Sequence, residues 1–278
     1  MKKLFLVLTV SAAFICSHAQ PLTTPQPSPT QTVKQNFSTG SIELSYSRPA
    51  VKGRKVFGDL VPFGNVWRTG ANNATTLTFT DDVNIGGKDV KAGKYGLLSI
   101  PGATQWTLII TKDVNVNSPS MYKQENDVVR VMCTPIQIPQ KIESFTIQFA
   151  NLTNSSCDLQ IIWDNTVAVL PINANTDGKV MAQIDNIFNK DNKPYFAAAS
   201  YYYDNGKDMA KAKEWVDKAI ADPANSKAFW MTMLKARIHE KMGDKAGAKA
   251  MADKTIALAT EAKNDDYIKM ATDLKMKL

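Results

Sequence analysis

Between residues 36 and about 173, apolar side chains recur at every second position; beyond Asn175 they no longer do. This change of period constrains the fold more than any other feature. Period-two alternation places one face of a strand in a core and the other in water, and a helix cannot use it. Ile42, Leu44 and Tyr46 alternate with Glu43 and Ser45, and Leu77 and Phe79 alternate with Thr76 and Thr78. Trp106, Leu108 and Ile110 repeat the pattern, followed by Phe145, Ile147 and Phe149, then Leu159, Ile161 and Trp163. Turn-forming pairs separate the runs: Gly86-Gly87, Ala92-Gly93, Pro101-Gly102 and Asn154-Ser155. Many short strands at this spacing predict an antiparallel β-sandwich, or a barrel, over residues 36–174. No strand–helix–strand rhythm is present, which argues against a doubly wound nucleotide-binding sheet.

Residues 175–278 are rich in Ala, Lys, Met and Asp, and predict about six helices. An internal echo runs through them. Ala199, Tyr203, Gly206, Ala212 and Ala219 form one series; Ala236, Gly243, Ala248 and Ala252 form another, with Ala199 and Ala236 37 apart and Ala212 and Ala248 36 apart. Small residues let paired helices approach closely, and the period is near the ~34 residues of tetratricopeptide repeats. Pro223 falls between the two copies. The expected architecture is α+β in two segregated parts, the sandwich followed by stacked helical hairpins.

Ahead of both parts, Lys2 and Lys3 precede an uncharged apolar run from Leu4 to about Ile15, and Ser17-His18-Ala19 ends it. That is the three-part pattern of a secretory signal peptide over residues 1–19, cut before Gln20. The run is shorter than the ~20 residues a membrane span needs. Lipid anchoring at Cys16 is disfavoured by the bulky Ile15 before it. The expected location is periplasmic or extracellular, with no transmembrane segment later in the chain. Residues 20–35, rich in Pro, Thr and Gln, read as a flexible tether.

The chain holds 33 Lys and Arg against 26 Asp and Glu, a net charge of +7. The excess lies in the C-terminal third as lysines interspersed with acids, the look of a solvated helix face. No concentrated basic patch suits nucleic acid. Cys133 and Cys157 are a candidate disulfide in an oxidising compartment, or two buried small hydrophobes. His239 stands alone after residue 19, so no His-rich metal site is expected and no cofactor is implied. Asp81, Asp82, Asn84 and Asp89 lack the order of a calcium loop and read as a hairpin. Neither a P-loop nor a GxSxG elbow is present.

Residues 46–76 form a long link between two strands, with four Gly, two Pro and a concentration of Tyr46, Arg48, Arg54, Trp67, Arg68, Asn72 and Asn73. Arg offers a planar fork to oxyanions, Trp and Tyr offer flat apolar faces, and Asn offers directional hydrogen bonds. These seven residues are the candidate site for a glycan or small anion. The competing reading has Arg48 and Arg68 stapling the loop through Asp59 and backbone carbonyls, with Trp67 in the core.

The same stretch carries a resemblance. Tyr46-Ser47-Arg48-Pro49, Lys52-Gly53-Arg54, Phe57-Gly58-x-Leu60-Val61-Pro62 and Val66-Trp67-Arg68-Thr69-Gly70-Ala71-Asn72 resemble the core motifs of the domain-of-unknown-function family 2911. Gly93-x-Tyr95-x-Leu97, Ile100-Pro101-Gly102, Trp106-Thr107 and Ile161-x-Trp163 continue the match. Ala219-Ile220, Phe229-Trp230 and Asp266-Tyr267-Ile268-Lys269-Met270 resemble the helical tail of longer members. At Asn73 the chain departs from a family that often carries Glu there. The resemblance implies exported proteins of Gram-negative bacteria with a β domain, and implies no activity.

Three functions are compatible with this sequence. The leading one is a non-enzymatic binding protein that holds a polar ligand on the β domain and docks an envelope protein through residues 177–278. A hydrolase of envelope glycans or polymers, with carboxylates paired only in space, is the second. A structural or assembly factor without a small ligand is the third.

Overall fold

A computed structural model describes residues 24–190 and 193–278. The expected signal peptide lies outside the described residues. The chain divides into two compact units, one ending at Asn175 and the other spanning Thr176–Leu278.

The first unit is a sandwich of two open antiparallel sheets. Six strands build one sheet: β1 (Thr30–Phe37), β2 (Gly40–Ser47), β3 (Thr75–Phe79), β6 (Gly93–Ile100), β7 (Trp106–Thr111) and β8 (Asp127–Cys133), in that spatial order. The other has the order β5 (Lys88–Val90), β4 (Val83–Ile85), β10 (Ser156–Asn173) and β9 (Ile136–Ala150). The alternating residues of both sheets meet in one core: Leu44, Leu77, Leu97 and Leu108 face Ile147, Leu159, Ile161 and Leu170, all nearly or fully buried. The chain crosses between the sheets through the short β4–β5 hairpin, which holds Asn84 and Asp89 together by a 2.9 Å side-chain bond.

The long strand β10 shows how the pattern survives an irregularity. Cys157, Leu159, Ile161 and Trp163 are buried, and past Asp164 the buried set shifts to Thr166, Ala168, Leu170 and Ile172. The β9–β10 register slips on both sides of Asp164, whose φ is +52°. A bulge that inserts residues exchanges the two faces of a strand, so the inward phase changes from odd to even positions.

Two expectations need correction. The tether is shorter than residues 20–35, because Thr30–Phe37 pair with β2 along their full length. This edge strand exposes every second residue, so its polar composition carries no apolar alternation, and backbone pairing orders it instead. The Cys133–Cys157 disulfide does not form, and both residues are free thiols. Cys133 ends β8 near the backbone of Val169, and Cys157 stands at the opposite end of β10 from Val169. About 3.3 Å of rise per residue puts the sulfurs tens of ångströms apart, against the ~7 Å a disulfide spans. Burial pushes both thiols up, Cys157 to about 11.

The second unit contains, among its described residues, helices α1 (Thr176–Phe188), α2 (Tyr195–Asp204), α3 (Met209–Ala221), α4 (Phe229–Lys241), α5 (Lys245–Glu261) and α6 (Asp265–Lys277). The echoed small residues are its contact points: Ala199, Ala212, Ala236, Ala248 and Ala252 have no exposed surface. The turns repeat too. Gly206, Gly243 and Lys263 adopt left-handed backbone after α2, α4 and α5. Asp208, Asp244 and Asn264 then cap the next helix by accepting backbone N–H bonds. This pairing of a left-handed terminator with a side-chain cap closes one helix and opens another within a few residues. No described helix is long and apolar enough to cross a membrane.

Candidate functional site

Strands β2 and β3 are neighbours in one sheet, yet the chain between them takes a long detour, residues 48–74. It first reaches the opposite sheet. Val51 N–H donates to Glu143 O at 2.8 Å, and Phe145 N–H donates to Pro49 O at 2.8 Å. It then returns to β6, where Trp67 and Ser99 exchange backbone bonds of 2.7 and 2.9 Å. The detour therefore ties the two sheets together at one end of the sandwich.

An aromatic cluster fills that end. Phe57 and Trp67 come from the detour, Trp106 from β7, Phe145 from β9 and Trp163 from β10. Phe57 meets Trp106 edge-on at 4.8 Å between centroids, and Trp67 meets Phe145 edge-on at 5.2 Å. Trp67 stacks on Trp163 at 5.8 Å with only 16° between their planes. Each such pair adds ~0.5–1.5 kcal/mol beyond simple burial. Two indole N–H groups of the cluster have backbone acceptors, Trp67 in Gly70 O at 3.0 Å and Trp163 in Glu143 O at 3.3 Å.

The backbone that aims Arg68 is constrained. Thr69 is fully buried with φ +54°, an unusual conformation for a β-branched residue. Its hydroxyl meets Ser99 Oγ at 2.9 Å, and its carbonyl accepts from Thr75 Oγ1 at 2.6 Å. Gly70 follows at φ +151°, where a Cβ would stand 3.0 Å from Ser47 O.

Above the cluster lies a cleft of about 610 Å³. Arg54, Leu60, Val61 and Pro62 line one part, and Trp67, Arg68 and Trp163 line the floor. Asn117, Ser118 and Pro119, from the segment between β7 and β8, form the facing wall. Arg68 bridges to that wall by donating from Nη1 to Asn117 O at 2.6 Å. The wall is anchored by Tyr122, whose hydroxyl donates to Asp127 Oδ2 at 2.5 Å, and by Arg130, which binds the same oxygen at 3.1 Å. Burial, reinforced by Asp127, pushes the Tyr122 hydroxyl up to about 12.

The seven candidate residues divide by what they touch. Arg54, Trp67 and Arg68 line the cleft. Tyr46 is core, with its hydroxyl 2.9 Å from Gln31 Oε1 and 3.1 Å from Ile147 O. Arg48 is a strap between the sheets, donating to Phe145 O at 2.9 Å and Thr146 Oγ1 at 3.0 Å. Asn72 holds the N-terminal segment by donating to Ser28 O at 3.0 Å. Asn73 is exposed and outside the cleft lining. Stapling through backbone carbonyls, without Asp59, explains Arg48 and applies to Arg68 as well, and Trp67 packs against the core.

The electrostatics of the cleft are one-sided. Arg54 donates to Val51 O and Ala50 O at 3.0 and 2.6 Å, and among the described residues Arg68 donates to the Asn117 carbonyl alone. The buried Arg68 Nε has no hydrogen-bond partner. Among the described residues the lining contains no carboxylate, imidazole or thiol. Sequence reasoning missed Trp163 and Asn117–Pro119 as lining residues. Ile161-x-Trp163 read as a core strand, and the Asn-Ser-Pro turn carried no signal that folding would bring it to Arg68. No group of three or more His, Cys, Asp or Glu is placed to hold a metal ion among the described residues. His239 is buried between helices of the second unit, with Nδ1 2.7 Å from Asp244 Oδ2.

No curated protein and no solved structure matches the chain. The profile of the family described as "Protein of unknown function (DUF2911)" matches residues 28–172, the detour, the aromatic cluster and the cleft included, and the chain belongs to that family.

Proposed function

We propose that this is an exported binding protein whose β unit holds a small polar ligand, a glycan or an anion, in the cleft over Trp67 and Trp163. One observation carries the reading: among the described residues, Arg54 and Arg68 line an open cleft without any carboxylate to neutralise them. Arg68, the half-buried one of the two, loses hydration without gaining a counter-charge, a cost that a bound polar ligand offsets. The indole floor supplies the flat apolar contact that small-molecule sites combine with a few directed polar groups. Binding takes precedence over glycan hydrolysis because a glycosidase needs two carboxylates at the scissile bond, and this lining offers none.

Thermal unfolding of residues 20–278 against glycans, phosphates, sulfates and carboxylates tests the proposal. A ligand at 100 times its dissociation constant adds ~2.7 kcal/mol, which raises the midpoint by roughly 5–10 °C. The shift should vanish in Arg68→Ala. If Arg68→Ala lowers the midpoint and no compound raises it for the unaltered chain, the arginines serve only the fold.

A second reading concerns the helical unit, which we propose docks an envelope protein. A groove of about 340 Å³ there is lined by Tyr203, Trp230, Met233, Arg237, Tyr267 and Met270. Trp230 is 41 % exposed, and Arg237 donates to the Met270 sulfur at 3.4 Å. Exposed Trp and Arg dominate binding energy at interfaces. Capture of one defined envelope protein by the whole chain, lost in Trp230→Ala, is the expected result.

A further inference from the structure

We infer that the ligand of the β-unit cleft is an organic acid, a flat oxyanion carried on a compact ring, and neither a neutral glycan nor a bare inorganic ion. The inference rests on the reading of this cleft as a binding site and narrows its chemistry.

Charge excludes the neutral ligand. Both ionisable groups of the lining are guanidiniums, and their hydrogen-bond partners are carbonyl oxygens, which carry no formal charge. A hydroxyl-rich neutral ligand would satisfy donors and leave two positive charges uncompensated. A carboxylate satisfies donors and charge together, and its two coplanar oxygens match the guanidinium fork. Arg68 has such capacity left at its guanidinium tip, because among the described residues only Nη1 donates, to Asn117 O, while Nε is buried beyond the reach of a ligand.

Shape and polarity exclude the bare ion. The cleft of about 610 Å³ is in the range that holds an organic ligand, and phosphate or sulfate would fill a small corner of it. Much of its remaining wall is apolar: Leu60, Val61, Pro119 and the indoles of Trp67 and Trp163. Leu60 is 41 % exposed, a large apolar side chain left at the cleft edge. Apolar surface of this kind gains by covering a ring, at ~25 cal/mol per Å² removed from water. The charged and apolar parts of the lining adjoin at consecutive residues, Trp67 and Arg68. An acid on its ring, or one carbon from it, therefore fits better than one on a long chain.

Isothermal titration of the full chain with matched probes tests the inference. The ring acids are benzoate, indole-3-acetate and glucuronate. Their neutral counterparts are benzyl alcohol, indole-3-ethanol and glucose, and the bare anions are acetate, phosphate and sulfate. At least one ring acid should bind, about tenfold to a hundredfold tighter than its neutral counterpart, the range expected for a charge-assisted hydrogen bond. Benzoate and indole-3-acetate against glucuronate distinguish an aromatic acid from an acidic sugar. Arg68→Lys, which keeps the charge and loses the fork, should weaken that ring acid about tenfold. Arg54→Ala tests the second charge at an exposed residue, so a folding defect in an Arg68 variant leaves the inference open to refutation. Glucose or another neutral ring binding as tightly as its acid, with Arg54→Ala and Arg68→Lys without effect, overturns the inference and leaves a ligand-binding cleft. Phosphate or sulfate binding as tightly as every ring acid overturns the ring. Heat from none of the nine probes overturns both this inference and the cleft as a small-anion site.

Discussion

The two units solve the same packing problem with different materials. The β unit buries large side chains between sheets and closes one end with five aromatic rings. The helical unit brings backbones together at alanines, and supports the crossings with ion pairs between helices, such as Lys235–Asp217 at 2.6 Å. Most ion pairs among the described residues lie in this second unit. The difference teaches where each unit is vulnerable. Removing bulk should damage the first, and adding bulk or removing charge should damage the second.

The largest effect expected is Trp163→Ala, which removes a ring only 2 % exposed from the cluster. Comparable truncations cost ~3–5 kcal/mol. Denaturant unfolding read by near-ultraviolet dichroism should show that loss, and a cost below ~1 kcal/mol would mean the cluster is not what closes the sandwich. Ala236→Leu is the opposite operation, forcing a branched side chain into a helix crossing at a residue with no exposed surface. It should cost ~1–3 kcal/mol through overpacking. A stabilised variant would show that the helices leave room there, and the contrast between the units would collapse. Asp208→Ala removes the cap that accepts from Ala210 and Lys211 N–H at 2.8 and 3.2 Å. About 1 kcal/mol is expected, read as reduced protection of the first amides of α3 in hydrogen exchange.

The smallest effect is graded with pH. Lys207 and the Tyr201 hydroxyl hold the Asp177 carboxyl below the usual aspartate range. The Gly247 N–H, helped by His239, does the same for Asp244. Burial alone would raise Asp217, and hydrogen bonds and charge from Lys213 and Lys235 outweigh it and lower the group. A carboxyl depressed in the folded state stabilises above its unfolded value, and that stability is lost as pH falls through the folded value. All three lie in the helical unit. Helical dichroism should therefore fade on acid titration before the near-ultraviolet signal of the aromatic cluster does. The reverse order would mean these carboxylates do not set acid stability.

Much of this architecture was legible because burial writes itself into residue order. Leu44, Leu77 and Ile147 each alternate with polar neighbours, and each is buried. Gly206 and Gly243 marked equivalent turns because left-handed backbone favours glycine. Strand β1 was not legible, since hydrogen bonds to β2 stabilise it and backbone bonds select no side-chain pattern. The candidate site was legible to the extent that it lies within one segment: Arg54, Trp67 and Arg68 stood out by density. Trp163 and Asn117 join them only through the sheet pairing and the segment after β7. Arg48 advertised the same chemistry as Arg68, and what separated their roles was the acceptor within reach of each, Phe145 O against Asn117 O.

The stacking of Trp67 on Trp163 has a consequence for how this molecule is seen by light. The chain has five tryptophans, and three of them, Trp67, Trp106 and Trp163, belong to the cluster beneath the cleft. Two indoles 5.8 Å apart and nearly parallel couple their excited states. Their emission and their paired ultraviolet bands depend on what lies against Trp67, the half-buried member of the pair. A molecule entering the cleft would change that optical signature without any label, so the floor of the site doubles as its own reporter.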